Sequence, residues 1–379
     1  MIRLVVLGVS GSIGKQVLQI VRENPNEFEI VGVSVNTSIE GLNDLVNEFP
    51  SIKLVAIANE EKYLEIKDNS LFDVTSNLLD LIHLDKVDMV VNGIVGIAGL
   101  APTVETIKRG IDLALANKES IVCGGDYLQS LLKESKTTIY PVDSEHSAIA
   151  QCLVGEKKNE VRKLIITASG GPFREKTLKD LESVTKKEAL NHPNWKMGDK
   201  ITVDCATLVN KGLEIIEAHY LFDMPYDKIN AVIHYESVIH SMVEFVDGSI
   251  KAQFGVPSME LPIQYALFKL NHHEKNNQNF DFSKTFELHF KPIDLDRFDA
   301  VKLAYDVGNI GGAAPLVYNS ANEQAVNMFL NDSIRFIDIV PVIKDAVNEF
   351  EKESVSSLED ILKLDVKVRE YVKNKFKKG

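Results

Sequence analysis

At 379 residues the chain is longer than one hydrophobic core usually serves, so two or three domains are expected. Its net charge of -13 excludes nucleic acid and anionic membrane surfaces as principal partners, since both are held through basic surface, but leaves room for a small anion gripped by locally gathered cations. Cys123, Cys152 and Cys205 form no C-x-x-C pair, which excludes a disulfide framework and a cysteine zinc site and fits a reducing compartment.

The chain opens directly on an apolar strand at 2–7 with no charged leader, so a cytoplasmic location is expected. From there to about residue 140, apolar strands alternate with amphipathic helices, the pattern of a parallel sheet covered on both faces. Strands are predicted at 4–7, 28–35, 54–58, 89–92, 113–115 and 138–142, with helices at 15–23, 39–49 and 101–108. The most apolar run, 89–101, is broken by Asn92 and by Gly93, Gly96 and Gly99, and falls short of the roughly 20 residues a membrane helix needs.

Gly8-Val9-Ser10-Gly11-Ser12-Ile13-Gly14 follows the first strand and opens the first helix. Glycines at this spacing permit a tight turn, close approach of a pyrophosphate and close helix–strand packing, while the helix N-terminus favours negative charge. A dinucleotide cradle is therefore expected, against the plainer reading of a strand-to-helix turn. The second strand ends Val35-Asn36-Thr37-Ser38, without the acid that grips ribose hydroxyls in an NAD site, so NADPH is favoured over NADH.

Ile139-Tyr140-Pro141-Val142-Asp143-Ser144-Glu145-His146 reads as a strand ending in two carboxylates. Alternation along an extended chain would put Asp143 and Glu145 on one side and Ser144 on the other. Such a pair is half of an oxygen-rich cation site, half of an acid/base pair, or a solvated strand end. From residue 161 the pattern changes to an α+β domain with a partly antiparallel sheet, in which Asp247-Gly248 marks a hairpin. Ser169-Gly170-Gly171-Pro172-Phe173 follows a buried strand, His192-Pro193-Asn194-Trp195 lies in a loop, and His234 and His240 flank Ser237.

A helix runs to about Tyr220 with Val209, Leu213, Ile216 and Tyr220 on an apolar stripe. Asn210, Lys211 and Glu214 share another face, either a binding trio or an ordinary solvated face. Residues 271–283 are polar, aperiodic and linker-like. The last ninety or so residues read as helical, with Ser320-x-x-Glu323 and Ser356-x-x-Glu359 as capping boxes and Asp365 capping a final helix that ends in the basic run 373–378. The expected organisation is 1–142 dinucleotide-binding, 143–268 catalytic with a mobile loop near 190–200, 269–292 linker and 293–379 helical.

Taken together these motifs resemble the 1-deoxy-D-xylulose 5-phosphate reductoisomerase family: G-x-S-G-S-I-G at 8–14, N-G-I-V-G-x-A-G-L at 92–100, L-A-N-K-E-S at 115–120, P-V-D-S-E-H at 141–146, S-G-G-P-F at 169–173, H-P-N-W-x-M-G at 192–198, A-T-x-x-N-K-G-L-E at 206–214 and S-V-I-H-S-M at 237–242. The resemblance implies a Rossmann-like N-terminal domain, a central α+β catalytic domain, a C-terminal helical domain, and a homodimer with no nucleic-acid or membrane partner. It implies Asp143, Glu145 and Glu214 as carboxylate ligands of one Mn²⁺ or Mg²⁺, which all-oxygen ligation suits. Lys118, Ser144 and Glu145 would face the hydroxyketone of a phosphorylated ketose, with Ser169, Asn210, Lys211 and position 205 at its phosphate. His192 would close over it from the loop carrying Trp195 and Met197. Ser10, Gly11, Ser12, Ile13, Asn36, Thr37, Ser38, Asn117, Glu119 and Gly198 would contact NADPH. Cys205 stands where the family has serine, and Thr37 where some members carry lysine.

The implied reaction is a retroaldol and aldol rearrangement followed by hydride transfer, giving 2-C-methyl-D-erythritol 4-phosphate for isoprenoid precursors, in an enzyme class inhibited by fosmidomycin. Two rival readings keep the glycine turn but dispense with the carboxylate triad: an NADP-dependent dehydrogenase without rearrangement, and a non-catalytic nucleotide sensor.

Overall fold

The computed structural model describes residues 1–68, 70–195, 197–274 and 280–376. The chain divides into two compact units. The first comprises 1–120, 128–143 and 259–274; the second comprises 121–127, 144–258 and the described residues from 280 onward. Part of the linker-like stretch (275–279) and Lys377 and Lys378 of the terminal basic run lie outside the described residues.

The first unit is built on seven strands: β1 (Ile2–Leu7), β2 (Phe28–Val35), β3 (Leu54–Ile57), β4 (Val74–Thr75), β5 (Met89–Asn92), β6 (Asp112–Leu115) and β7 (Ile139–Pro141). All pair in parallel, in the order β4-β3-β2-β1-β5-β6-β7. Strand order reverses between β1 and β5, so their carboxyl ends diverge into a crevice where doubly wound sheets take ligands. Leu4 to Leu7 are fully buried, as unbroken apolar runs in a sheet covered on both faces must be. Val17, Leu18, Ile20 and Val21 of the Ser12–Glu23 helix join that core with Ile263, Ala266 and Leu267 of the Glu260–Leu267 helix. Phe28 meets Phe268 edge to face at 4.9 Å, which ties the later segment to β2.

In the second unit, β8 (Val161–Ala168), β9 (Ile229–His234), β10 (Ile239–Phe245), β11 (Ile250–Phe254) and β12 (Phe290–Pro292) form a mixed sheet ordered β11-β10-β8-β9-β12. Only β8–β9 is parallel; Asp247-Gly248 makes the β10–β11 hairpin with Gly248 at φ +85°. The helices Asp299–Ile310, Ala314–Leu330, Ile339–Phe350 and Leu358–Lys375 belong to this unit. A Cβ at Gly212 would lie 2.5 Å from Tyr318 Oη and 2.8 Å from Ala304 Cβ, so the Val209–Phe222 helix reaches its neighbours only because residue 212 has no side chain.

Three expected helix starts are corrected. Ser320 lies buried inside the Ala314–Leu330 helix, which begins with Pro315 in its first turn, because the polar run Asn319-Ser320-Asn322 is covered by packing rather than breaking the helix. The last helix is capped by Ser357, whose side chain accepts from Asp360 N, while the expected Ser356 donates its hydroxyl to the Asp360 carboxylate. Asp365 sits mid-helix and holds Arg369 at 2.8 Å.

Candidate active site

In the first unit the glycine turn fills the switch point between β1 and β5. Gly8 adopts φ +80° and its N–H donates to Ser34 Oγ at 2.9 Å, while Gly93 N donates to Leu7 O at 3.1 Å. A Cβ at Gly14 would stand 2.5 Å from Gly8 O and from Val9 Cα, so this position admits no side chain without moving backbone. Gly14→Ala is expected to weaken NADPH binding about tenfold or more and to cost about 1–3 kcal/mol of stability, since the clash is with the turn itself. Fluorescence titration of NADPH and a thermal melt check it. The helix that follows is N-capped by Gly11 with no side-chain cap, so its first N–H groups stay open to an anion. Ser10 and Ile13 are half-buried, whereas Gly11, Ser12, Asn36, Thr37 and Ser38 are exposed.

Asn117 organises the other side of this crevice. Its side chain accepts from Ser120 N at 3.0 Å and donates to the carbonyls of Ile94 and Gly96 at 2.8 Å and to Glu119 at 3.1 Å. The capping side chain thus starts the Lys118–Glu134 helix and pins the 94–96 loop at once. Lys118, buried, meets Asp143 Oδ2 at 2.5 Å. That helix is interrupted at Gly125, φ 27° and ψ -116°.

The main segment of the second unit starts at Ser144, and here the strand reading of 139–146 is corrected. The strand ends at Pro141 and Ser144 begins a helix, Ser144–Leu153. Alternation does not apply, and Ser144 Oγ donates to Glu145 Oε2 at 2.7 Å instead of facing away from it. In the Val209–Phe222 helix the polar face is not solvated: Asn210, Lys211, Glu214 and Glu217 are all buried. Leu208, at φ 59°, separates this helix from Asp199–Thr207 and lets the second start at once.

Lys211 Nζ donates to Glu145 Oε1 at 2.9 Å, to Glu214 Oε2 and to Thr167 O. Asn210 Nδ2 donates to Glu214 Oε1 at 2.5 Å. Carboxylate oxygens of Glu145 and Glu214 come within 4.8 Å of each other. Burial pulls the Lys211 ammonium toward losing its proton, but the charges of Glu145 and Glu214 outweigh that and hold its pKa above the usual lysine range. Two residues unassigned by the sequence support this pair. His146 Nε2 donates to the Glu214 carbonyl at 2.9 Å and its Nδ1 lies 3.3 Å from Glu217 Oε2, linking the helix of Glu145 to the helix of Glu214. Glu217, three residues beyond Glu214 on the helix, was not singled out in the sequence, although its i, i+3 spacing from Glu214 puts it on the same face.

A second cluster gathers after β8. Ser169 Oγ accepts from His192 Nε2 at 3.0 Å and from Gly171 N at 3.2 Å, so its own proton is available to an anion. His192 Nδ1 accepts from Asn194 N at 3.2 Å and Trp195 N at 3.0 Å, which places the proton on Nε2. Burial, assisted by the charge of Arg174, lowers the imidazole pKa to about 4, so the ring is neutral at pH 7. Gly170 and Gly171 take φ +81° and +66°, and a Cβ at Gly171 would meet Cys205 O at 2.5 Å. Cys205, half-buried, therefore sits against this turn. Trp195 lies 6.4 Å from the His240 ring, and exposed Gly198 caps the Asp199–Thr207 helix. Lys196 lies outside the described residues.

Comparison with known proteins identifies the family. Residues 4–125 match the family model described as 1-deoxy-D-xylulose 5-phosphate reductoisomerase, and 139–222 and 254–371 match two models of that enzyme's C-terminal domain. A 1-deoxy-D-xylulose 5-phosphate reductoisomerase of Clostridium kluyveri is 47% identical over 386 residues, covering 99% of this chain and 100% of the relative. That of Clostridium perfringens is 45% identical over 382 residues, covering 99% of each chain. A crystal structure of DOX-P reductoisomerase in complex with NADPH, fosmidomycin and magnesium superposes with a TM-score of 0.93 at 36% identity, covering 99% of this chain and 98% of the other. The Zymomonas mobilis enzyme in complex with NADPH gives 0.91 at 37% identity and 99% coverage of both chains. With three matching family models and relatives near half identical over its whole length, the chain belongs to the 1-deoxy-D-xylulose 5-phosphate reductoisomerase family.

Proposed function

We propose that this chain converts 1-deoxy-D-xylulose 5-phosphate to 2-C-methyl-D-erythritol 4-phosphate with NADPH and Mn²⁺ or Mg²⁺. The observation that carries the reading is the convergence of the Glu145 and Glu214 carboxylates on one buried lysine. Two acids sharing a single ammonium leave net negative charge in a buried, all-oxygen setting, which fits a hard divalent cation. Asp143 is two residues from Glu145 in the chain and supplies the third ligand in this reading. Bound there, the ion supplies Lewis acidity toward the substrate's ketone and hydroxyl oxygens, and NADPH supplies the hydride.

The chain's own groups position the rest. Lys118 keeps its ammonium oriented through Asp143 and, with the Ser144 hydroxyl, faces the hydroxyketone. Ser169, Asn210 and Lys211 receive the phosphate: Thr167 O, which holds Lys211, lies two residues before Ser169, so acid pair and phosphate turn are joined by the end of β8. Cys205 at the same turn offers a thiol, a weaker donor than the family's serine hydroxyl. Neutral His192 donates from Nε2, and the loop with Trp195 and Met197 excludes water. Asn36, Thr37 and Ser38 offer donors to the 2′-phosphate of NADPH, while Asn117, Glu119 and Gly198 complete its site.

The deciding experiment is substrate-dependent NADPH oxidation before and after complete chelation. Activity is expected to vanish on chelation and return with Mn²⁺ or Mg²⁺; turnover that survives favours a dehydrogenase without rearrangement, and binding without turnover favours a sensor. Among the described residues no helix is long and apolar enough to cross a membrane. Cytoplasmic residence and a homodimer belong to the same proposal, and sedimentation at twice the chain mass checks the latter.

Because burial favours the neutral imidazole, the unfolded loop binds the His192 proton more readily than the folded one. The loop contacts are complete above pH 6.5 and are lost as pH falls through about 4, where a proton on Nδ1 displaces the Asn194 and Trp195 N–H groups. Trp195 is the only tryptophan, so its fluorescence should titrate in that window and stop doing so in His192→Ala.

A further inference from the structure

Arg174 is a cation that none of the roles above uses, and it stands at the back of the Ser169 turn. Its Nη1 donates to Ser169 O at 3.1 Å, fixing from behind the residue whose hydroxyl accepts from His192 and Gly171. The guanidinium lies over the Tyr235 ring at 4.2 Å, the geometry of a cation–π contact. Arg297 pins the backbone at and just after it, donating to Arg174 O at 2.8 Å and Lys176 O at 2.7 Å. The His192 loop reaches the same support: Asn194 Nδ2 donates to Tyr235 O at 2.9 Å and to Ser237 Oγ at 2.8 Å, at a turn where Ser237 is held at φ 53°. The charge of Arg174 also helps keep His192 neutral, secondary to burial.

We infer that Arg174 is a positioning residue for the phosphate end of the site: through the Ser169 carbonyl it aims the Ser169 hydroxyl and the Gly170-Gly171 turn at the anion, and it adds positive charge there. The inference rests on the phosphate reading of Ser169. It gives this turn a charge-assisted anchor at a site where Cys205 donates more weakly than a serine. Guanidinium suits the task because it can hold a carbonyl and stack on an aromatic face at once.

The test is steady-state kinetics of the metal-saturated enzyme with inorganic phosphate as a competing probe. In Arg174→Met, whose thioether chain keeps packing on Tyr235, KM for the phosphorylated substrate and the inhibition constant of phosphate are expected to rise together by about tenfold or more, with kcat within about threefold. The Mn²⁺ and NADPH affinities and the thermal midpoint are expected to stay in place, and Arg174→Lys to recover part of the loss by retaining the cation without the stacked fork. Unchanged constants in Arg174→Met overturn the inference, as does a rise in KM accompanied by weakened Mn²⁺ binding and a lower thermal midpoint that Arg174→Lys does not recover. If phosphate fails to compete in the unsubstituted enzyme and Ser169→Ala leaves KM unchanged, the phosphate reading itself falls and takes this inference with it.

Discussion

Glu214→Gln is expected to lower metal-dependent turnover by about a thousandfold while leaving NADPH affinity unchanged. Glutamine keeps the shape of the side chain and an acceptor for Asn210, so the helix stays packed. What is lost is one of the two negative charges that Lys211 now bridges, the buried one, and with it most of the attraction for a divalent ion. A thousandfold is about 4 kcal/mol of transition-state stabilisation. The check is kcat measured across a Mn²⁺ titration beside a separate NADPH titration. Rate recovered at high Mn²⁺ would show weakened metal binding, and rate lost at every concentration would show a role beyond holding the ion.

Lys211→Met has a different signature. Removing the ammonium strips buried Glu214 and half-buried Glu145 of their shared partner, so in metal-free protein the variant is expected to lose about 3 kcal/mol, toward the lower end of the cost of breaking a buried ion pair. A divalent cation replaces what was removed, so saturating Mn²⁺ should raise the thermal midpoint of Lys211→Met more than that of the unsubstituted chain; a ligand at about a thousand times its Kd adds about 4 kcal/mol. Substrate affinity is not expected to return with the metal, since the phosphate loses its cation. Differential scanning calorimetry with and without Mn²⁺ separates the two effects, and equal metal-induced shifts in both proteins would remove Lys211 from the acid pair.

Features set by short-range chemistry were readable in the sequence. The glycine spacing at 8–14 dictates a turn that no side chain at Gly14 could share, and the alternation of strands and helices led to the parallel sheet. The hairpin at Asp247-Gly248 was equally local. Readings stayed open or failed where packing decides. Helical period separates the faces of 209–222 but cannot say whether the opposite face is also covered, and it is. The run through 139–146 was continued as a strand although an Asp-Ser pair followed by Glu also suits a helix start, and the helix prevails from Ser144. Ser320 carries the pattern of a cap and lies in mid-helix, since capping boxes specify chemistry without specifying burial. Arg174 gave no signal and His146 only its place in the 141–146 motif, because their roles consist of bonds to residues distant in sequence: Arg174 to Tyr235, and His146 to Glu214 and Glu217.

The acid pair is what distinguishes this site from a plain nucleotide-binding domain, and it can be tested without turnover. Electron paramagnetic resonance of Mn²⁺ titrated into the NADPH-loaded chain should show one tight site, weakened about a hundredfold or more in Glu145→Gln and in Glu214→Gln with NADPH binding intact. Unaltered Mn²⁺ affinity in the double variant would contradict the account, because the ion would then be held by residues other than those Lys211 bridges.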